Sequence, residues 1–337
     1  MPVERVLITV KTYPTLSKTY GETVCTAGLT KDGNWIRIYP IPFRRMEDLE
    51  KRYHKYEWIE CDLVRNTAKD KRPESRRPAD IDSIRCDGRI GTENQWRERR
   101  TLILEKGQVF TNMQELIEDA KADKRSLATF KPKKVIDFVV EQDEREWDEK
   151  KLDEIRKQLS QHDLFENNEW RKTFKVVDKL PYKFSYRFSD DTDQERTLMI
   201  LDWELGALFW KYGRDDEELA IQKVRQKYFD EFVKTDLHFF LGTTRQWHSV
   251  APNPWVIIGV AQFPFLRAIS SPHFFRGERR SLFKCVAGKP DWRIPNYPKP
   301  CPRNSTGGRP DKPHTAISQS GLFTLTCGDL PACNPTL

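Results

Sequence analysis

The sequence predicts an α+β protein made of a β-rich N-terminal domain, an α+β domain and a disordered tail. Three observations support this prediction. Short runs of β-branched and aromatic residues fill the first 140 residues, helical and strand patterns alternate between residues 170 and 265, and hydrophobic periodicity ends after residue 265. A charged segment over residues 141–169 is predicted to connect the two domains.

The first 140 residues are predicted to form a small barrel or a strongly curved sheet. Lys31-Asp32-Gly33-Asn34 separates two of the predicted strands. Because Asp-Gly tolerates the positive φ angles of a tight hairpin, these two strands are expected to pair antiparallel. One helix is predicted over residues 112–122. The predicted strands cover residues 5–10, 22–29, 35–39, 58–64 and 134–140.

The connector is predicted to contain a solvated bridging helix over residues 141–161. Leu152, Ile155 and Leu159 recur there at intervals of three and four among charged residues. The α+β domain follows over residues 170–265. Its predicted elements are a strand over residues 182–188, helices over 197–212 and 215–233, and strands over 237–241 and 255–260.

The tail, residues 266–337, differs in composition from the rest of the chain. It holds 10 of the 21 prolines and 11 of the 58 Lys and Arg, but only 4 of the 51 Asp and Glu. The body, residues 1–265, therefore carries 47 residues of each sign (58 − 11 and 51 − 4). Pro-rich sequence without an apolar pattern cannot offset its ordering entropy, so disorder is expected. The tail is either an evolved basic arm or, as its scattered Cys, Trp, Phe and Pro favour, the product of a shifted reading frame.

The sequence predicts a cytoplasmic protein without a membrane span, a metal site or a cofactor. No window approaches the roughly 18 uninterrupted apolar residues that a spanning helix needs. Residues 1–8 carry charge inside a short apolar run, unlike a signal peptide. Cys25, Cys61 and Cys86 are widely spaced and include no C-x-x-C pair, which is typical of reduced thiols.

Asp202 is the strongest candidate for a catalytic residue. On the predicted helix over residues 197–212 it projects between two apolar stripes, and a buried carboxylate must find a donor, a cation or a proton. A non-catalytic interpretation, in which Asp202 caps a loop or pairs with an arginine, is favoured. Glu204 would lie about 200° away around such a helix, so a metal ion shared by the two is not expected.

The segment from Gly242 to His248 follows a predicted strand. Glycine lets the backbone approach a ligand closely, and Arg245 and His248 offer donors suited to a phosphate or a base edge. A turn whose side chains satisfy their own backbone is the favoured alternative.

Trp35, Arg37 and Tyr39 alternate with Ile36 and Ile38, so the first three share one face of a strand. If the isoleucines meet the core, the opposite face presents two rings and a guanidinium, a platform on which unpaired bases stack. A half-buried sheet face is an equal alternative.

Clustered cations lie near this strand in the sequence. Arg44 and Arg45 follow it, and a later basic loop contains Arg72, Arg76 and Arg77. These arginines are expected to form a rim that contacts phosphates, with a solvated loop as the alternative.

Several segments together resemble an uncharacterised family of bacterial two-domain cytoplasmic proteins. The resemblance spans residues 3–262 and implies no established activity. Its segments are Tyr13-Pro14-Thr15, residues 22–28, residues 35–44, Leu201-Asp202-Trp203-Glu204 and Phe239-Phe240-Leu241-Gly242-Thr243.

The function predicted from these features is nucleic-acid binding, with a single strand favoured as the partner. One alternative is a metal-dependent hydrolase or nuclease centred on Asp202, with Glu204 and His248 nearby, and only this alternative calls for a divalent metal. A second alternative is a non-catalytic interaction protein. The sequence contains no G-x-x-x-x-G-K-[ST], G-x-G-x-x-G, H-E-x-x-H or G-x-S-x-G motif, and it specifies no oligomeric state.

Overall fold

A computed structural model describes residues 3–17, 21–43, 52–65, 70–163 and 176–266. The predicted disordered tail lies outside the described residues except for Leu266. The strands are β1 (Val3–Lys11), β2 (Thr15–Ser17), β3 (Gly21–Thr30), β4 (Trp35–Pro42), β5 (Glu57–Arg65), β6 (Ser75–Pro78), β7 (Arg85–Arg89), β8 (Val109–Phe110), β9 (Leu127–Phe130), β10 (Lys134–Gln142), β11 (Tyr182–Ser189), β12 (Glu195–Met199), β13 (Asp236–Thr243) and β14 (Trp255–Phe263). The helices are α1 (Glu93–Arg100), α2 (Met113–Lys121), α3 (Glu149–Asp163), α4 (Trp203–Gly213) and α5 (Glu217–Arg225).

The first part of the chain folds into a closed five-stranded barrel, as predicted. β1 is hydrogen-bonded to β3 on one side and to β5 on the other, and the circle closes through β4 and β6. β4 and β6 run parallel, whereas the other neighbours in the barrel are antiparallel. Apolar side chains such as Ile8, Ile38 and Leu63 fill the interior.

The predicted hairpin between β3 and β4 is present. Gly33 has a φ of 86°, which supplies the left-handed backbone that the turn requires. Gly28 serves a different purpose, because it faces β1. A Cβ at this position would lie 2.1 Å from the carbonyl oxygen of Leu7, so only glycine lets the two strands pair here.

Two smaller sheets and α2, α4 and α5 enclose a second core, which confirms the predicted mixed α+β architecture. One sheet has the strand order β10-β11-β12 and the other β14-β13-β9-β8. Aromatic rings fill the space between them. The ring centroids of Phe138 and Phe184 lie 5.9 Å apart. Tyr186 stacks on Phe239, with ring centroids 5.1 Å apart.

An apolar contact joins the outside of the barrel to the sheet that contains β13 and β14. Leu7 and Leu29 of the barrel pack with Phe240 and Ile258 of that sheet. Trp35 meets Phe240 edge-on, with ring centroids 5.4 Å apart. The described residues all belong to one compact unit, so the barrel and the second part share buried surface.

Residues 197–212 do not form a single helix, contrary to the prediction. Residues 195–199 form β12, which pairs antiparallel with β11, and α4 begins only at Trp203. Pairing with β11 satisfies the backbone of these residues, so tertiary context outweighs the helical spacing of Leu198 and Leu201.

The connector also begins later than predicted. Residues 134–142 form β10 and pair with β11, so α3 starts at Glu149. β8, β9 and β10 all join the sheets of the second part. In the part of the chain that the structure describes, no helix has the length and apolar character needed to cross a membrane.

Candidate functional site

Asp202 lies where the end of β1 meets the start of α4. It is 3% exposed, and its backbone forms a bridge with Thr12. One carboxylate oxygen, Oδ1, accepts a hydrogen bond from the Glu204 backbone N–H at 3.1 Å. The other, Oδ2, accepts one from the hydroxyl of Tyr228 at 3.3 Å. Asp202 thus caps its own helix, and its side chain is closed to solvent.

Glu204 and Lys55 form an ion pair beside this cap. The Nζ atom of Lys55 lies 3.0 Å from the Oε2 atom of Glu204, and it also donates to the carbonyl oxygen of Val260 at 2.9 Å. The side chain of Lys55 is 11% exposed, whereas that of Glu204 is 53% exposed. Of the two carboxylates, Asp202 and Glu204, only Glu204 is therefore open to a ligand.

Lys11, the last residue of β1, completes the group. Its side chain is half-buried, and its Nζ donates to the carbonyl oxygen of Tyr53 at 3.1 Å. Lys11, Lys55, Asp202 and Glu204 are called the junction site below.

In the junction site, the pKa values of the two carboxyl groups shift in opposite directions, and so do those of the two lysines. Burial raises the pKa of Asp202 to about 6, although Lys55 acts to lower it. Reduced hydration would also raise the pKa of Glu204, but Lys55, helped by Lys11, lowers that pKa overall. Burial lowers the pKa of Lys11 to about 8. Burial would do the same to Lys55, but Glu204 and Asp202 raise its pKa above the usual value. Such opposed shifts are typical of sites that transfer protons.

Aromatic packing fixes the backbone around the junction site. Tyr13 stacks on Trp203 with ring centroids 5.7 Å apart, and its hydroxyl accepts a hydrogen bond from the Nε1–H of Trp210 at 2.8 Å. A Cβ at Gly206 would lie 2.2 Å from the Tyr13 ring, so the tyrosine needs a glycine on α4. Phe43 also packs on Trp203, at 5.2 Å. Segments that carry the family resemblance therefore meet here.

The platform expected on β4 is not open to a ligand. Arg37 is 1% exposed, and its guanidinium donates to the hydroxyl of Ser126 at 2.6 Å and to the Ser126 carbonyl oxygen at 2.8 Å. Trp35 and Tyr39 are half-buried. The isoleucines between them do face the barrel core, as expected. The opposite face is covered because the second part of the chain packs against it.

Arg72 is also buried, although it lies in the predicted basic loop. It is 7% exposed and forms a bidentate ion pair with Asp70, through Nε at 2.8 Å and Nη2 at 2.6 Å. Its Nη1 donates to the carbonyl oxygen of Thr243. Burial would raise the pKa of Asp70, but Arg72 lowers it to about 2. This pair holds the loop against the end of β13.

The outward side of the same segment is basic. The end of β5 at Arg65, the described residues 70–74 and β6 as far as Arg77 are called the basic hairpin below. Arg65, Lys71 and Arg77 are exposed, and Arg76 is half-buried with a bond to the Pro73 carbonyl oxygen at 2.9 Å. Its acidic residues turn inward, since Asp70 pairs with Arg72 and Glu74 accepts from Ser126.

The 243–250 loop adjoins the basic hairpin through the bond between Arg72 and Thr243. His248 is 5% exposed, with Nδ1 2.9 Å from the Thr243 hydroxyl and Nε2 3.1 Å from Asp123. Burial lowers the pKa of His248 below its usual value, although Asp123 acts to raise it. Arg245 and Trp247 face outward, and Trp247 is 51% exposed.

The structure thus brings Asp202 and Glu204 together, but it places His248 with the basic hairpin instead. Arg44 and Arg45 lie outside the described residues. Across the described ranges, no three His, Cys, Asp or Glu side chains are grouped so that they could hold a metal ion.

Sequence reasoning missed Lys11, Lys55 and Trp247. Each lysine follows or precedes an apolar run without any motif, so their proximity to Asp202 had no signal in the sequence. Trp247 belongs to the polar segment that was singled out, and its position among polar residues was the available clue.

Fold and site together define a mixed α+β protein, in which a closed five-stranded barrel is joined to a second part through buried charged groups. Two family models match adjacent stretches: a domain of unknown function (DUF8758) over residues 2–105 and a domain of unknown function (DUF8757) over residues 109–286. The second match covers more than half of the chain, which belongs to that family. The expected membership of an uncharacterised two-domain family is confirmed. No curated protein matches the chain.

Proposed function

We propose that this protein binds single-stranded nucleic acid through the basic hairpin and the 243–250 loop. The observation that carries the proposal is that every fully exposed charged side chain described in the hairpin is positive: Arg65, Lys71 and Arg77. Clustered cations attract a phosphate backbone and release its counterions.

The strand order of the barrel supports this location. In chain order, the five strands of the barrel are β1, β3, β4, β5 and β6. The second of the five pairs with the first and the third, and the first also pairs with the fourth. The third runs parallel to the fifth. This is the arrangement of OB folds, Greek-key barrels whose second and third strands and whose loops, including the one between the fourth and fifth strands, bind oligonucleotides or oligosaccharides. The basic hairpin contains the described residues of that loop, 70–74, and the adjoining ends of β5 and β6. The likeness is one of fold and does not by itself fix the ligand.

The usual binding face of such a barrel is covered in this chain, because Trp35 and Arg37 on β4 pack against the second part. A strand would therefore bind at the hairpin end of the barrel. Trp247 belongs to the loop that meets the hairpin at Thr243, and its exposed ring is one on which a base can stack, which favours a single strand over a duplex.

Salt-dependent binding of the full-length protein to a fluorescent single-stranded oligonucleotide tests the proposal. The variant replaces Arg65, Lys71 and Arg77 with Gln. Each phosphate contact on a single strand contributes about 0.7 to the slope of log K against log salt, so the slope is expected to fall by about 2.

A matched control replaces Lys134, Lys150 and Lys151 with Gln, which removes the same charge from exposed positions far from the hairpin in sequence. The control matters because the tail carries surplus positive charge and would bind any polyanion. Equal weakening in the two triple variants would mean that bulk charge alone binds nucleic acid, and the proposal would be abandoned.

No observation on the described residues favours the alternative function, a metal-dependent hydrolase. Asp202 caps a helix and is closed to solvent, and the described residues provide no three-ligand metal cluster.

A further inference from the structure

Lys11 occupies a position in which a lysine does not readily keep its charge. Its amine donates to the backbone carbonyl of Tyr53 at 3.1 Å and lies 6.0 Å from the centroid of that ring. Among the residues with described positions, no carboxylate lies within the 4.0 Å of an ion pair with this amine. A half-buried ammonium without a carboxylate partner is costly, so Lys11 gives up its proton more readily than an exposed lysine does.

Neighbouring cations strengthen this effect. Arg52 and Lys55 lie on either side of Tyr53 in the sequence, and both lower the pKa of Lys11 further after burial has lowered it. Lys55 keeps its own charge because it pairs with Glu204. A desolvated lysine beside other cations is the arrangement that makes an amine nucleophilic near neutral pH.

Glu204 provides a carboxylate that can carry protons at this place. Its side chain is 53% exposed, and it lies two residues from Asp202, whose backbone forms a bridge with Thr12, the residue after Lys11. A ligand can therefore approach Glu204 and Lys11 from solvent, whereas Asp202 stays buried behind them and holds the start of α4.

We propose that Lys11 is the nucleophile of a site that forms an imine with an aldehyde or ketone, and that Glu204 carries the protons of this reaction. The Nζ lone pair attacks the carbonyl carbon and forms the C–N bond. The carbonyl oxygen then leaves as water with the two hydrogens of the amine, and a C=N bond results. Nothing is oxidised or reduced, so no co-reactant is needed.

The charges around the site indicate the class of carbonyl compound. Arg52, Lys55 and Arg89 all act on Lys11 or Glu204. These three cations outnumber the two carboxylates of Asp202 and Glu204 whether or not Lys11 carries a proton. A carbonyl compound that carries a carboxylate or phosphate group is therefore expected to react faster than a neutral one. This inference does not depend on the proposed nucleic-acid surface, which lies on the basic hairpin.

Reductive trapping tests the inference on the full-length protein. The protein is incubated at pH 7.5 with cyanoborohydride and one of three probes: glyoxylate, glycolaldehyde phosphate or neutral glycolaldehyde. Peptide mapping by mass spectrometry then compares Lys11 with the exposed Lys150 and Lys151 of the same molecules. Lys11 is expected to be modified at least tenfold faster than either reference lysine, and faster by the anionic probes. The comparison of glyoxylate with glycolaldehyde phosphate shows which anionic group is preferred.

A Glu204→Gln variant separates proton transfer from a simple charge effect. Loss of the Glu204 charge leaves the Lys11 amine less protonated, so acylation by acetic anhydride is expected to rise. Imine formation is expected to fall at least fivefold, because the proton carrier is gone. A rise in both reactions would overturn the role of Glu204. Modification of Lys11 no faster than that of Lys150 in the parent protein would overturn the nucleophile, and equal rates with neutral and anionic probes would overturn the substrate class.

Discussion

Asp202 is the residue of the junction site whose protonation is tied most directly to folding. Burial raises its pKa from 3.8 to about 6, so the folded chain holds this proton more tightly than the unfolded chain does. The resulting stabilisation is fully present below pH 3.8 and is lost as the pH rises through about 6. Asp202→Asn keeps an oxygen that can cap α4 but does not titrate.

The parent protein is therefore expected to lose on the order of 3 kcal/mol of unfolding free energy relative to Asp202→Asn between pH 4 and pH 7. Urea unfolding at several pH values measures this difference. His238, whose pKa burial lowers to about 4, has the opposite effect over part of this range, and it cancels because both proteins contain it. A difference that does not change with pH would show that Asp202 is charged throughout.

Trp247 tests the single-strand preference at the scale of one side chain. Trp247→Ala is expected to weaken binding of a single-stranded oligonucleotide by about 1–3 kcal/mol, the usual effect of losing one stacked base. The slope against salt should stay the same, since no phosphate contact is lost. Fluorescence anisotropy measures both quantities. Phe265→Ala, at a residue that is 63% exposed, is the matched control. An equal loss of duplex binding would argue against stacking.

At the scale of elements, the basic hairpin depends on the buried pair of Arg72 and Asp70. Arg72→Met leaves the Asp70 carboxylate, which is 4% exposed, without its cation. Breaking one side of a buried ion pair costs about 3–5 kcal/mol, so a loss of this size in the free energy of unfolding is expected. Adding Asp70→Asn to Arg72→Met should recover part of the loss, because the uncompensated charge is removed. Denaturant unfolding checks both variants, and an Arg72→Met loss below 1 kcal/mol would show that the hairpin does not rely on this pair.

The elements that could be predicted from sequence are those whose signals are local. The hairpin of β3 and β4 follows from Asp32-Gly33, and the start of α2 follows from the N-cap Asn112. β6 was missed because its arginines and proline resemble a loop, and only pairing with β4 and β5 makes it a strand. β12 was missed for the same reason, since its partner β11 decides its conformation.

The candidate site was predictable only in part. The burial of Asp202 was foreseen from its apolar neighbours, and a capping role was part of the favoured interpretation, but the sequence did not show that Asp202 caps α4. The alternation around Arg37 correctly placed the isoleucines inside the barrel. It could not show that Ser126 lies opposite the guanidinium, because that contact joins distant parts of the chain. Lys11 and Asp202 meet for the same non-local reason.

At the scale of the whole molecule, one family match ends at residue 105 and the other begins at residue 109. Residues from both matches nevertheless pack together in one buried cluster. Leu7 and Leu29 come from one match, and Phe240 and Ile258 come from the other. The buried Arg37 and the half-buried Lys55 also reach from the barrel to the second part. Separating the two parts would expose apolar surface and leave charged groups without partners, so neither is expected to be stable alone.

The barrel and the second part are therefore expected to unfold together in one cooperative transition. Phe240→Ala removes a fully buried ring between them, which costs about 3–5 kcal/mol. Hydrogen exchange followed by mass spectrometry should show that protection falls equally in β3 of the barrel and in β11 of the second part, whereas Phe265→Ala leaves both unchanged. If β3 kept its protection while β11 lost it, the two parts would be independent folding units. Their contact would then be a docking surface, and the junction site would form only when the two are docked.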